Sequence, residues 1–329
     1  MGKLVFVGNG ELADSYKGNK SWLKPIEDLR EAGFDLWYEN GSSKDDEMFA
    51  RCWALIPSRV HINEESLQRA RSLKLITKTG VGLDRIDIPA CTAHGVCVTN
   101  TPQANIIAVA EHTFTLMLAI AKNLYPISLY TRKDYPDFAC SKRYRSVELY
   151  GKTLAVIGLG KIGSRVAKFA DAFGMRIIGV DPFANRSQMP DYIEWADTMD
   201  DALPQADFIT LHVPAIEENR GLVGEKQFAM MKETAIIVNT SRGIIIDETA
   251  LYHALVNKSI GGAGLDVFEV EPWKPCNPIM HLENFVATPH CAANTPESAA
   301  RAMEECAKSI REYAEGKRPA AAANNVPLG

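Results

Sequence analysis

Residues 157–181 read "IGLGKIGSRVAKFADAFGMRIIGVD". Glycines stand at Gly158, Gly160 and Gly163, and Asp181 closes the stretch. A glycine triplet of this spacing means little alone, so its flanks decide the reading. The apolar run "TLAVI" (153–157) precedes it, the helical segment "KIGSRVAKFADAFG" continues from it, and the strand-like "RIIGVD" ends in the acid. Strand, turn, helix, strand and acid is the order a dinucleotide-binding turn requires. Gly158 permits the tight turn, Gly160 lets backbone approach a pyrophosphate, and Gly163 lets helix and strand pack closely. Free N–H groups at the helix start, where Lys161 and Ile162 stand between the last two glycines, receive the phosphate charge. Asp181 can accept from a ribose 2′-hydroxyl and would repel a 2′-phosphate, which favours NAD over NADP. "GKT" at 151–153 imitates the end of a P-loop, but that motif needs a glycine at residue 146, which is Ser146.

Outward from this stretch the chain alternates short apolar runs with helical patterns. Downstream, 153–158, 176–181, 207–213, 235–240, 262–267 and 284–288 make six strands, a full dinucleotide-binding sheet. Upstream, "KLVFVG" (3–8), "FDLWYE" (34–39), "WALIP" (53–57), "LKLITKTG" (73–80) and "GVCVTN" (95–100) make five more. A long helix is expected over 103–124, with Ile107, Ala110, Phe114, Met117, Leu118 and Ala121 on one face. Another is expected over 295–317, capped by Thr295 and stopped at Gly316. It follows the second sheet and crosses back to the first domain, while the "AAAANN" beyond it is low in complexity and expected to fray. The expected fold class is α/β, with two doubly wound parallel-sheet domains and a cleft between them. One is a flavodoxin-like substrate domain, discontinuous over 1–101 and 291–329; the other is a Rossmann NAD-binding domain over 102–290.

Bulk properties exclude several other classes. Hydrophobic residues make 46% of the 329 and charged residues 23%, the profile of a globular protein large enough for two cores. A net charge of −5 without a long basic run gives no footprint for nucleic acid or an anionic membrane. The most apolar stretch, 106–121, is interrupted by Glu111 and His112 and is too short to span a bilayer. The N-terminus makes a poor signal peptide and reads as a first strand, so the cytoplasm is the expected compartment. Seven cysteines, scattered and without a C-x-x-C pair, argue against a disulfide framework and a zinc site, and no metal is expected.

In open parallel sheets ligands bind beyond the carboxyl ends of the strands. Those ends supply His212, Arg242, Asp266, Glu271 and His290. An arginine fork suits a substrate carboxylate, and an imidazole suits proton transfer near neutral pH. A carboxylate beside the imidazole fixes its tautomer and favours its cation. His61, His94, His253 and His281 fall in helices or connections, and His112 lies mid-helix beside Glu111 as a structural hydrogen-bonder. Two candidates for the proton role remain open: His290, with Glu271 as a possible partner, and His212, with none obvious.

Seven segments in order are similar to the D-2-hydroxyacid dehydrogenase family, in the branch of phosphoglycerate dehydrogenases and glyoxylate/hydroxypyruvate reductases. They are "KTGVGLDRID" (78–87), "NTPQANIIAVAEHT" (100–113), "GKTLAVIGLGKIG" (151–163), "LHVP" (211–214), "NTSRG" (239–243), "LDVFEVEP" (265–272) and "TPH" (288–290). The resemblance implies NAD-dependent interconversion of a small D-2-hydroxy acid and its 2-oxo acid. It implies His290 as acid/base, Glu271 as its orienting partner and Arg242 as the group that binds carboxylate and polarises the carbonyl. It further implies substrate contacts from the backbone N–H groups of Val81 and Gly82, and a nicotinamide contact from Asp266. His212, Val213, Pro214 and Thr240 then line the cofactor, and a homodimer forms through the cofactor domains. Formate dehydrogenases carry glutamine where Glu271 stands. The alternative function is an NAD(H)-sensing, corepressor-like binding protein on the same fold.

Some features depart from the family pattern. The connection 8–22 is long, and 132–145 carries Arg132, Lys133, Lys142, Arg143 and Arg145, either a solvated loop or a contact for a second negative charge. Cys291 directly follows His290, while Trp273 and the "KPCN" after it are candidates to shape the pocket. The chain ends where serine-regulated phosphoglycerate dehydrogenases continue, so feedback through such a domain is expected to be absent.

Overall fold

The computed structural model describes residues 2–8, 21–57, 60–132, 143–273 and 277–327. The chain divides into two compact units, Met1–Asn105 with Asn294–Gly329, and Ile106–Ala293. The seams lie a few residues beyond 101 and 290, and hydrogen bonds explain why. Thr101 N–H donates to Gly80 O and Ala104 O accepts from Arg301, which ties 101–105 to the first unit. Cys291 and Ala292 N–H donate to Asp266, which ties them to the second.

The first unit holds a five-stranded parallel sheet of β1 (Lys3–Val7), β2 (Phe34–Tyr38), β3 (Ala54–Ile56), β4 (Leu75–Lys78) and β5 (Cys97–Asn100). Its order, β2-β1-β3-β4-β5, is the flavodoxin-like one. The helix Pro296–Ala314 packs Met303, Cys306, Ile310 and Tyr313 onto Val5, Ala54 and Leu75 of this sheet. Thr295 caps it by accepting from Ser298 N–H, and Gly316, at φ 74°, turns the chain away after it.

The residues after that helix do not fray. Ala322 bridges Thr99 in antiparallel fashion, and Ala323 N–H donates to Val98 O. Asn324 accepts from Val98 N–H and donates to Val96 O and Thr92 Oγ1, each at 2.9 Å. β5 is an edge strand whose backbone groups need partners, and the alanine-rich tail supplies them. Asn324→Ala leaves Val98 N–H and Val96 C=O without this side-chain partner in a buried setting. It should lower stability by about 1–3 kcal/mol, read as an earlier midpoint in urea unfolding.

The second unit holds a seven-stranded parallel sheet: β6 (Thr153–Ile157), β7 (Arg176–Val180), β8 (Ile193–Trp195), β9 (Phe208–Leu211), β10 (Ile236–Asn239), β11 (Gly262–Leu265) and β12 (Phe285–Ala287). Its order is β12-β11-β10-β9-β6-β7-β8, reversing direction between β6 and β9. The sheet buries both faces: Ala155 and Ile157 join one core, Leu154 and Val156 the other. That explains why its strands read as continuous apolar runs. β8 was not expected; at three residues it is too short to show a period.

The helix expected over 103–124 is Ile106–Ala121, followed by Leu124–Thr131 at a bend of 61°. Asn123 makes the bend at φ 48°, a conformation asparagine tolerates better than most residues. Ala110, Phe114, Met117 and Ala121 are buried against the sheet, whereas Ile107 is exposed. Among the described residues no single helix is long and apolar enough to cross a membrane.

Candidate active site

The glycine-rich turn joins β6 to the helix Lys161–Ala172. Gly158 has φ 90°, and a Cβ there would lie 2.8 Å from His212 O. A Cβ on Gly163 would lie 1.9 Å from Gly158 O, so any side chain would drive the helix off the turn. Gly160 instead faces open space, with no heavy atom within 4 Å of where its Cβ would stand. As N-cap it has no side chain to occupy the first N–H groups of a twelve-residue helix. Lys161 is exposed, and Ile162 packs against the core below. Just past β7, Asp181 accepts from Leu159 N–H and Phe183 N–H, each at 2.8 Å, and is thereby aimed across the turn. Open backbone, uncapped N–H groups and a fixed acid fit the pyrophosphate and adenosine ribose of a dinucleotide.

Because all the strands are parallel, their carboxyl ends share one edge. Beyond β10, β11 and β12 stand Arg242, Asp266 and His290, and the loop after β11 returns Glu271 to them. His290 Nδ1 lies 2.7 Å from Glu271 Oε2, while Glu271 Oε1 accepts from Phe268 N–H at 3.0 Å. Burial pushes the Glu271 carboxyl up. The hydrogen bonds from His290 and Phe268 N–H, with the charges of His290 and Arg242, outweigh burial and hold it below its ordinary range. Among the described residues no hydrogen bond engages His290 Nε2, and the side chain is 45% exposed. Asn239 Nδ2 donates to Arg242 O at 2.8 Å, and Arg242 Nη1 donates to Ser241 O at 2.7 Å, which fixes that loop.

The other strand-end residues line the same edge. His212 N–H donates to Ile157 O, and its enclosed ring Nε2 has no partner among the described residues. Burial pushes this imidazole down to about 3, so it is neutral at working pH and unsuited to proton transfer. Val213 packs against the core, Pro214 O accepts from Asn219, and Thr240 Oγ1 lies 2.9 Å from Thr113 Oγ1. Asp266, 1% exposed, accepts at Oδ1 from Thr288 (2.6 Å) and Cys291 N–H (2.9 Å), and at Oδ2 from Ala292 N–H (2.9 Å). His112, Asp266 and Cys291 bring N, O and S atoms within 4.8 Å of one another, but these donors already occupy both Asp266 oxygens. Sequence reading overlooked Thr288, whose hydroxyl joins Asp266 to His112 (2.8 Å). Threonine inside a T-P-H run gives no signal of that kind.

In the first unit, Val81 and Gly82 follow β4, with Val81 O accepting from Asn100 Nδ2. Among the described residues neither N–H has an acceptor. Of the departures noted above, burial first and the Asp266 charge second push the Cys291 thiol up, away from thiolate. Trp273 packs its ring 5.0 Å from Phe268. Arg143 pairs with Glu283 at 2.7 Å and Arg145 is exposed. Lys133, Lys142, residues 274–276 and most of the 8–22 connection lie outside the described residues.

A glycine turn with a fixed acid thus shares one edge of a doubly wound sheet with a histidine–carboxylate pair near an arginine. Residues 114–292 match the family model for the D-isomer specific 2-hydroxyacid dehydrogenase, NAD binding domain. Over 242 residues the chain is 45% identical to D-3-phosphoglycerate dehydrogenase of Methanocaldococcus jannaschii, covering 73% of this chain and 45% of that one. It is 40% identical to hydroxypyruvate reductase of Thermotoga maritima over 245 residues, covering 73% and 78%. The TT0316 protein of Thermus thermophilus superposes with a TM-score of 0.83 at 30% identity, covering 98% and 100%. The chain belongs to the D-isomer specific 2-hydroxyacid dehydrogenase family. It spans about half the length of the first curated relatives it matches, 43% to 51%.

Proposed function

We propose that this chain is an NAD-dependent oxidoreductase interconverting a small D-2-hydroxy acid and its 2-oxo acid. The observation that carries the reading is the 2.7 Å pair of His290 Nδ1 and Glu271 Oε2, with no hydrogen bond among the described residues engaging Nε2. Bound NAD(H) accepts or supplies the hydride at the substrate carbon. In the reductive direction His290 Nε2 delivers a proton to the carbonyl oxygen; in the oxidative direction it removes the hydroxyl proton. Glu271 orients the ring and stabilises the imidazolium. Arg242 binds the carboxylate and polarises the carbonyl. Asp266 accepts from the nicotinamide carboxamide, while His212, Val213, Pro214 and Thr240 line the cofactor. The reading includes a homodimer, for which exposed Leu124, Tyr125, Leu129 and Tyr150 offer apolar surface.

The test is NADH oxidation against glyoxylate, hydroxypyruvate, pyruvate, phosphohydroxypyruvate, a branched 2-oxo acid and sulfopyruvate. Turnover with any member supports the reading, and preference for a doubly charged one makes the 132–145 segment a substrate contact. Silence across the panel with tight NADH binding replaces it with an NAD(H)-sensing binding protein. Asp181→Ser removes the charge that repels a 2′-phosphate, so the NADPH-to-NADH ratio of kcat/KM should rise by about tenfold. An unchanged ratio removes Asp181 from cofactor selection.

A further inference from the structure

Thr288 Oγ1 is 2.6 Å from Asp266 Oδ1 and 2.8 Å from His112 Nε2. A threonine hydroxyl has one proton, and a carboxylate only accepts. The hydroxyl proton therefore goes to Asp266, and Thr288 Oγ1 accepts from a proton on His112 Nε2. The direct His112–Asp266 separation is 3.6 Å, too long for a hydrogen bond, so the hydroxyl is the link. The chain of donors runs from the helix Ile106–Ala121, through the residue after β12, to the residue after β11. Side-chain exposures of 18% for His112 and 1% for Asp266 leave water little share in it.

We infer that His112 is a positioning residue for the nicotinamide carboxamide, acting through Thr288 on Asp266. The inference rests on the functional reading above, which gives Asp266 that contact. Removing the Nε2 proton frees the Thr288 hydroxyl to rotate, so its bond to Asp266 Oδ1 is no longer fixed from the helix side. The N–H donors of Cys291 and Ala292 still hold the carboxylate, but only from the segment after β12. A glutamine at 112 carries an amide N–H to the same reach as Nε2 and preserves the link.

Binding separates this role from a structural one, because ADP-ribose meets the glycine turn and Asp181 but has no carboxamide. Calorimetric titration of the full chain with NADH and with ADP-ribose is the experiment, on wild type, His112→Leu, His112→Gln, Thr288→Val and the His112→Leu/Thr288→Val double variant. His112→Leu and Thr288→Val should each weaken NADH binding about tenfold and leave ADP-ribose binding unchanged. His112→Gln should bind NADH like wild type, and the double variant no worse than Thr288→Val, since both act on one link. Equal losses for both ligands, additive losses, or full NADH affinity in His112→Leu would overturn the inference while the cofactor reading stands. Wild-type protein that binds ADP-ribose but gains nothing from the nicotinamide half would overturn the Asp266 contact and the inference together.

Discussion

His290→Ala should lower kcat for reduction of the preferred 2-oxo acid by about 10²–10⁴ with NADH affinity retained. Its Nδ1 is engaged by Glu271, which leaves Nε2 as the position for proton transfer to substrate. Neither of the other imidazoles near this edge of the second sheet can take over. His212 has an enclosed Nε2 and is neutral at working pH, and His112 is engaged with Thr288. Steady-state kinetics on the best panel substrate, beside NADH titration, provide the check. A loss below about tenfold would mean that the proton comes from elsewhere, and His290 would revert to a binding residue.

Glu271→Gln should move the alkaline limb of the pH profile for reduction to lower pH. The sign follows from the charges. Reduction draws a proton from the site, so its rate falls as pH rises. Glu271 is held below the ordinary carboxylate range, hence it is charged throughout that limb and favours the imidazolium. The Glu271 charge is complete above the unfolded carboxyl pKa near 4.3 and is lost only as pH falls through its lower folded value. Glutamine keeps a polar contact but removes the charge. At a pH above the native limb the variant loses rate, while at lower pH it approaches wild type. A profile that drops uniformly without moving would break the assigned electrostatic pairing.

Much of the fold was legible because strands buried on both faces announce themselves. "TLAVI" and "FITL" are apolar but for one threonine each, and each lies inside the second sheet. The glycine roles were legible because sterics fix them: no residue but glycine satisfies Gly158 and Gly163. The strand-end rule also gathers His212, Arg242, Asp266 and His290 from sequence order. Other features depend on distances that sequence does not encode. β8 is three residues long, and Asn123 bends an otherwise continuous apolar pattern. His112 and Thr288 are 176 positions apart, so their 2.8 Å contact has no local signature. The alanine tail misled because composition describes a segment in isolation, whereas Asn324 is ordered by the edge it meets.

The split make-up of the first unit sets an order of events during synthesis. Ile106–Ala293 is continuous and can close its sheet as soon as it has left the ribosome. The first unit has its strands by Asn105, yet the helix that covers them and the residues that finish its edge come after residue 294. A chain truncated after Ala293 and released should resist protease across 106–293 while 21–105 is still cut. The part of the protein made first is then the part completed last.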